Sequence, residues 1–417
     1  MGPSPAPSVR LQIMRFISFH YMTYQGIDAE KAIRDHGVGW VEVPNTLCDP
    51  PTMAANFDEY IDQAVFAEEL GFDGVAVNEH HQTPFGSMPA PNIIAAALTQ
   101  RTSRVRVCVF GNALPLRSTP LSSVEEYTML DLLSKGRLEA GFVVGGGPEY
   151  YSFALNPTDA REKFGEALAL VRKAWSEPGP FRWDGKYYQF DAVNLWPTPY
   201  QRPHPPIWLC GVGSPSTLQT CARENLGYLG VNVNSGPADF AKHCAVFREA
   251  AVSYGREPDP GKIGFLCGVH VADDDQTAED EFRAYLAHGQ LLARGFGPPG
   301  KTFYPPNYMP AAGIAAFERS IREATQTNQP VQRGMNLIGS PEKVARDLIA
   351  RVKDCHVGNA VISFQWGNMP DDVTRRSMAL FAEKVMPIVR QEVDTFLDDL
   401  YPNRTRPDAP VTAGRSV

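Results

Sequence analysis

Glu79-His80-His81 closes a short apolar run, Val75-Ala76-Val77, and a loop through Gln82-Thr83-Pro84-Phe85-Gly86 follows. A carboxylate and two imidazoles at such a point can hold and move protons near neutral pH. The run is opened by Gly71-Phe72-Asp73-Gly74, and an apolar run of that length bounded by turn residues predicts a buried strand. A buried strand that ends in titratable groups is how an α/β barrel presents chemistry at its carboxyl end. Successive strand residues face opposite sides, so His80 and His81 cannot both enter one cavity while the strand stays regular. The bland reading is one structural ring and one solvated ring. The position favours at least one ring reaching a reacting group.

Other residues fall at the ends of apolar runs: His20, Asn112, the glycines 145–147, the segment Gly211 to Thr217, and Gln365. His20, His81 and Gln365 are expected to face substrate or its cover. Gly211-Val212-Gly213-Ser214-Pro215-Ser216-Thr217 enters a helix through small residues and hydroxyls. Backbone N–H groups at a helix start, with the dipole behind them, receive phosphate. Capping by Ser214 and Thr217 is the simpler alternative. Gly145-Gly146-Gly147 is a second anion device or only a turn; it lacks the Lys-Ser/Thr of a P-loop. A metal-dependent hydrolase would need ligands converging from several strands. His20, His80 and His270 alone do not make such a set, so no metal is expected. A non-catalytic binding barrel stands as the rival from outside enzymology.

The elements that must position these groups alternate. Strands are predicted at 14–19, 75–77, 105–110, 138–144, 207–210, 228–233, 263–271 and 359–366. Helices are predicted at 57–70, from 91, and at 122–133, 159–175, 217–224, 238–254, 277–288, 341–353 and 377–399. Residues 21–55 read as a long loop. Residues 181–190 read as a hairpin across Asp184-Gly185. Strict alternation implies a parallel sheet. Eight units with short crossovers predict an α/β fold, a closed (β/α)8 TIM barrel. It would span 14–400 as one domain, with inserts after strand 4 (178–205) and strand 7 (289–335), a flexible arm at 1–13 and a tail at 401–417. Loops longer than about 12–15 residues are usually lids or binding loops, and the second insert is expected to cover the strand ends.

Composition excludes some classes. The net charge of −8 argues against nucleic acid or an anionic membrane as the main partner. The seven cysteines are scattered, without a Cys-x-x-Cys pair, so neither a disulfide framework nor a structural zinc is expected. No stretch has the length of a membrane span, and the first residues lack the apolar core of a signal peptide. The cytoplasm is the expected compartment.

The segment from Glu79 to Gly86 resembles the Glu-His-His segment of bacterial luciferase and the luciferase-like flavin monooxygenases. The likeness continues in order through Gly111-Asn112-Ala113-Leu114-Pro115-Leu116, residues 130–137, Trp196-Pro197, Gly213-Ser214-Pro215 and Val385-Met386-Pro387. The resemblance implies a barrel that binds reduced flavin mononucleotide (FMN) from a separate flavin reductase. It implies oxygenation of a small apolar or aromatic molecule by O2 through a C4a-peroxyflavin. A related branch uses the deazaflavin F420, which stands as the alternative cofactor. A homodimer or higher homo-oligomer is expected. By the same resemblance His80 is the catalytic acid/base, and Phe110, Gly111 and Asn112 lie along the flavin ring. Gly213, Ser214, Thr217 and Arg161 take the phosphate. Where the family commonly has Val-Arg-Gly after strand 4, this chain has Val143-Val144-Gly145, which predicts a weaker hold on the flavin. A strained non-prolyl cis bond is expected between Phe110 and Gly111, where the run Val105 to Phe110 meets a residue without Cβ; an ordinary glycine kink is the alternative.

Overall fold

The computed structural model describes residues 14–231, 236–293 and 335–401. Eight parallel strands close into a barrel. They are β1 (Arg15–His20), β2 (Gly74–Val77), β3 (Arg106–Ala113), β4 (Leu138–Val143), β7 (Ile207–Gly211), β8 (Gly227–Gly230), β9 (Ile263–Val271) and β11 (Asn359–Ser363). Each pairs with the next, and β11 pairs back onto β1. Between β4 and β7 lies the expected hairpin, β5 (Phe181–Asp184) with antiparallel β6 (Gln189–Val193). A short strand not expected from sequence, β10 (Leu337–Gly339), pairs with the last residues of β9, Val269 to Val271.

Alternation along each strand divides the apolar residues into two cores. Ile17, Phe19, Ala76, Cys108, Phe110, Trp208, Cys210, Leu229, Leu266 and Val361 fill the barrel. Their neighbours Phe16, Val75, Val107, Val109, Phe142 and Phe265 face outward and bury against the helices. Burying one such side chain stabilises the fold by about 1.5–3 kcal/mol.

At the amino ends of the strands the barrel is closed by an ion cluster. Glu139 accepts from Arg15 Nη1 (2.6 Å), Arg106 Nε (3.0 Å) and Trp208 Nε1 (2.8 Å). Arg15 Nε also reaches Asn359 Oδ1 at 2.7 Å. Burial alone would push the Glu139 carboxyl up; the Arg15 and Arg106 charges outweigh it and hold the group down at about 2.

The helices depart from expectation in several places. Residues 21–55 are not one loop: they hold α1 (Ala29–His36), capped by Asp28, and the start of α2 (Pro50–Glu69). Asp49 caps α2 through Thr52 N–H, and Pro50 and Pro51 sit in its first turn, where a missing N–H costs nothing. The last helix begins at Asp371 rather than 377; α11 (Asp371–Leu380) and α12 (Met386–Leu400) are joined by a π-helical turn, Phe381–Val385. Asp159 precedes α6 (Ala160–Ser176) but makes no side-chain cap.

The remaining helices are α3 (Pro91–Arg101), α4 (Pro120–Leu133), α5 (Gly147–Ser152), α7 (Pro215–Glu224), α8 (Pro237–Ser253), α9 (Asp275–Ala293) and α10 (Pro341–Cys355). The end of α9 packs over α1. Leu292 joins Tyr24, Ile27, Ala29 and Ala32, and a side chain on Gly39 would overlap Leu292 O at 2.0 Å. The expected insert at 289–335 begins in this contact; its remainder, 294–334, lies outside the described residues, as do the arm and residues 402–417 of the tail.

β3 carries a bulge between Phe110 and Asn112. Gly111 takes φ +137, a region closed to most side chains. Among the described residues the cis bonds all precede proline, at Gly179-Pro180, Trp196-Pro197 and Arg202-Pro203. The cis bond expected at Phe110–Gly111 is absent. Glycine reaches the bulge by a φ rotation that needs no change at the peptide bond.

Candidate active site

β2 delivers Asn78, Glu79 and His80 to the barrel mouth. The two histidines part. His81 Nε2 lies 2.8 Å from Glu79 Oε1. Glu79 Oε2 takes Arg117 Nη2 at 2.9 Å and the Ala113 N–H at 3.4 Å. Glu79 Oε2 thus ties the end of β2 to the end of β3 and to Arg117, and Oε1 holds His81 beside it.

His80 enters an aromatic enclosure. Trp40 meets its ring edge-on at 5.0 Å, Phe85 lies 5.8 Å away, and Tyr21 lies parallel at 6.4 Å between centroids. Burial pushes the Tyr21 phenol well up, so it stands as a neutral donor. Gly86 must be glycine here, since a Cβ would sit 2.8 Å from His80 Cδ2. Behind the ring, His80 Nδ1 is 3.3 Å from Glu149 Oε1.

His20 and Gln365 sit elsewhere. Phe19 faces into the barrel, so His20 faces the helices. Its Nδ1 accepts the Met22 N–H at 2.8 Å, its Nε2 donates to Gln63 Oε1 at 3.1 Å, and its ring lies on Tyr60. Burial lowers its pKa to about 4, only partly offset by Gln63, so the ring is neutral at ordinary pH. Gln365 Oε1 accepts from Gln63 and Thr374, and its Nε2 donates to Met369 O. Both residues bind the helices to the wall. Asn112 also turns outward, 3.4 Å from Ser123 Oγ on α4.

At the Gly211 to Thr217 stretch, Ser214 caps α7. Its Oγ lies 3.4 Å from Thr217 N and 2.8 Å from Thr217 Oγ1. Gly213 has φ +88, and a Cβ there would lie 2.2 Å from the His243 ring of α8. A side chain at Gly211 would point into open space. Arg161 stands exposed on the first turn of α6. Val144 packs partly buried beside Tyr150, whose hydroxyl donates to Val144 O at 2.9 Å.

These features fit a flavin. Hydroxyls and a helix start suit its phosphate. The bulge at Phe110–Gly111 offers backbone without a side chain. Asn78 Oδ1, next to that bulge, is buried without a protein partner, and such an acceptor suits a ring N–H. Among the described residues no group of three or more His, Cys, Asp or Glu side chains is placed to hold a metal ion.

Several residues escaped sequence reasoning: Tyr21, Trp40, Arg117, Glu149 and His243. Only Glu149 left a signal. It stands three residues after Gly146, where a glutamate reaches back to cap a helix, and its Oε2 takes the Gly146 N–H at 2.6 Å.

Comparison with known proteins agrees with the geometry. A family model described as luciferase-like monooxygenase matches residues 38–355. The alkanal monooxygenase alpha chain of Photobacterium leiognathi is 25% identical over 345 residues, covering 79% of this chain and 92% of that one. The oxygenase component of the flavin-dependent trigonelline monooxygenase of Acinetobacter baylyi is 24% identical over 240 residues, covering 56% of this chain and 64% of that one. Among solved structures, monooxygenase RslO1 from Streptomyces bottropensis superposes with a TM-score of 0.70 at 25% identity, covering 90% of this chain and 99% of its own. The oxygenating constituent of 3,6-diketocamphane monooxygenase from Pseudomonas putida, solved with FMN, gives a TM-score of 0.67 at 19% identity, with 90% and 98% covered. An F420-dependent secondary alcohol dehydrogenase gives 0.63 at 18%, with 90% and 99% covered. The last two show a common fold. The family match spans most of a closed barrel with its histidine at the mouth, and the chain is a member of the luciferase-like monooxygenase family.

Proposed function

We propose that the protein is the oxygenase of a two-component system, using reduced FMN from a separate reductase and O2 to oxygenate a small apolar or aromatic molecule. The observation that carries this reading is the placement, past the carboxyl ends of strands of one barrel, of an imidazole in an aromatic enclosure and a helix start whose N–H groups and hydroxyls suit a phosphate. The trigonelline relative is by name an oxygenase component, which supports a partner reductase here.

Reduced flavin, when bound, supplies the electrons that activate oxygen. The chain's own residues do the rest. Ser214, Thr217 and the first N–H groups of α7 hold the phosphate. Phe110 and the Gly111 backbone support the ring, and Asn78 Oδ1 accepts from its edge. His80 exchanges a proton with the reacting substrate, a task suited to an imidazole. Tyr21, Trp40 and Phe85 exclude water and favour an apolar or aromatic guest.

Anaerobic titration with reduced FMN, and in parallel with reduced F420, tests the cofactor. FMN is expected to bind more tightly; binding of F420 alone would overturn the FMN assignment. Ser214→Ala with Thr217→Val will weaken FMN binding by roughly tenfold or more, since each hydrogen bond to a charged group is worth about 1.5–3 kcal/mol. Unchanged affinity would move the phosphate elsewhere. Val144→Arg will tighten binding by about tenfold on the same scale. Equal or weaker binding in that variant means another cation already fills the role.

A further inference from the structure

We infer that Glu149 is the positioning residue of His80: it keeps the ring's proton on Nδ1 and so leaves Nε2 as the basic nitrogen. The inference rests on the proposed role of His80 in proton exchange. A neutral imidazole has one donor and one acceptor nitrogen, and the partner of one nitrogen decides the state of the other. The partner of Nδ1 is a carboxylate oxygen, Glu149 Oε1 at 3.3 Å, and a carboxylate oxygen accepts. The distance is long for a finished hydrogen bond, as catalytic contacts often are before substrate binds.

Glu149 is built for more than capping. A cap needs one oxygen, and Oε2 already serves it through the Gly146 N–H. The residue is only 4% exposed, and a buried carboxylate is costly unless its oxygens are engaged. The second oxygen is engaged by His80. The carboxylate also sits on a fixed support. Tyr150, the next residue of α5, donates its hydroxyl to Val144 O and Gly145 O, tying the short helix to the end of β4. The ring is equally fixed: Trp40 and Phe85 set its plane, and Gly86 lies against Cδ2. Plane and tautomer are thus set by different elements, the first by the 40–86 region and the second by α5.

Isotope-labelled histidine read by nitrogen NMR on the full chain tests this directly, with His80→Gln to assign the signal. Wild type is expected to show His80 protonated on Nδ1, the tautomer less favoured in water. Glu149→Ala will move the proton to Nε2, and Glu149→Gln, which keeps an acceptor oxygen, will restore Nδ1–H. FMN affinity in Glu149→Ala will stay within about twofold of wild type. An Nε2–H tautomer in wild type, or a tautomer unchanged in Glu149→Ala, overturns the inference. The wild-type spectrum decides even if Glu149→Ala does not fold. A protein that shows Nδ1–H but binds no FMN would instead sink the proposed cofactor.

Discussion

Replacing Glu139 with alanine will destabilise the protein by about 3–5 kcal/mol, the usual cost of breaking a buried charge cluster by removing one member. The loss does not come from the attraction alone. Arg15 and Arg106 would remain in the barrel floor facing each other without the carboxylate between them, and Trp208 Nε1 would lose its acceptor. Denaturant unfolding of the variant against wild type measures it; a change under about 1 kcal/mol would show that solvent already screens the cluster. The same group predicts a pH dependence. Its folded pKa, about 2, lies below the unfolded value near 4.5. The stabilisation is therefore complete above the unfolded value and is lost as the pH falls toward about 2. Glu139→Gln should flatten that part of the stability curve, and an unchanged slope would assign it to other carboxylates.

Gly141→Val will cost about 3 kcal/mol or more, at the upper end for overpacking. A Cβ at Gly141 would lie 2.6 Å from Val109 O and 2.8 Å from Phe110 Cα. Both are backbone atoms of β3, so relief requires moving a strand rather than turning a side chain. The strand that moves carries the bulge, so flavin affinity should fall together with stability. Unfolding and FMN titration on the same preparation check both. Normal stability in this variant would mean that β3 and β4 separate more easily than their packing indicates.

The barrel was legible because its strands are buried on both faces and read as unbroken apolar runs. The hairpin was legible from Asp184-Gly185. α1 was missed because its buried side is only Ala29, Ala32 and Ile33 in a charged segment. The early start of α2 was missed because Pro50-Pro51 reads as a breaker in sequence and acts as a first turn in space. His20, Asn112 and Gln365 were correctly placed near strand ends, but position along a strand does not say which way a side chain points. For His20 alternation from Phe19 held the answer. For Asn112 the bulge shifts the alternation, and only the register reveals it. The cis bond was expected from resemblance and from the β run meeting Gly111; the chain takes the alternative, an ordinary glycine kink. Glu149 lies 69 positions from His80, and no local pattern joins them.

The ion cluster at the strand amino ends has a consequence for traffic. It makes the barrel a cup rather than a tube. With the interior filled by side chains, a ligand of the site must come over the rim beside His80 and leave by the same way. The molecule seated deepest then forms the floor for the next arrival. On the proposed function, a flavin seated deepest would be followed by the substrate above it, and a product would clear the rim before the flavin could be exchanged.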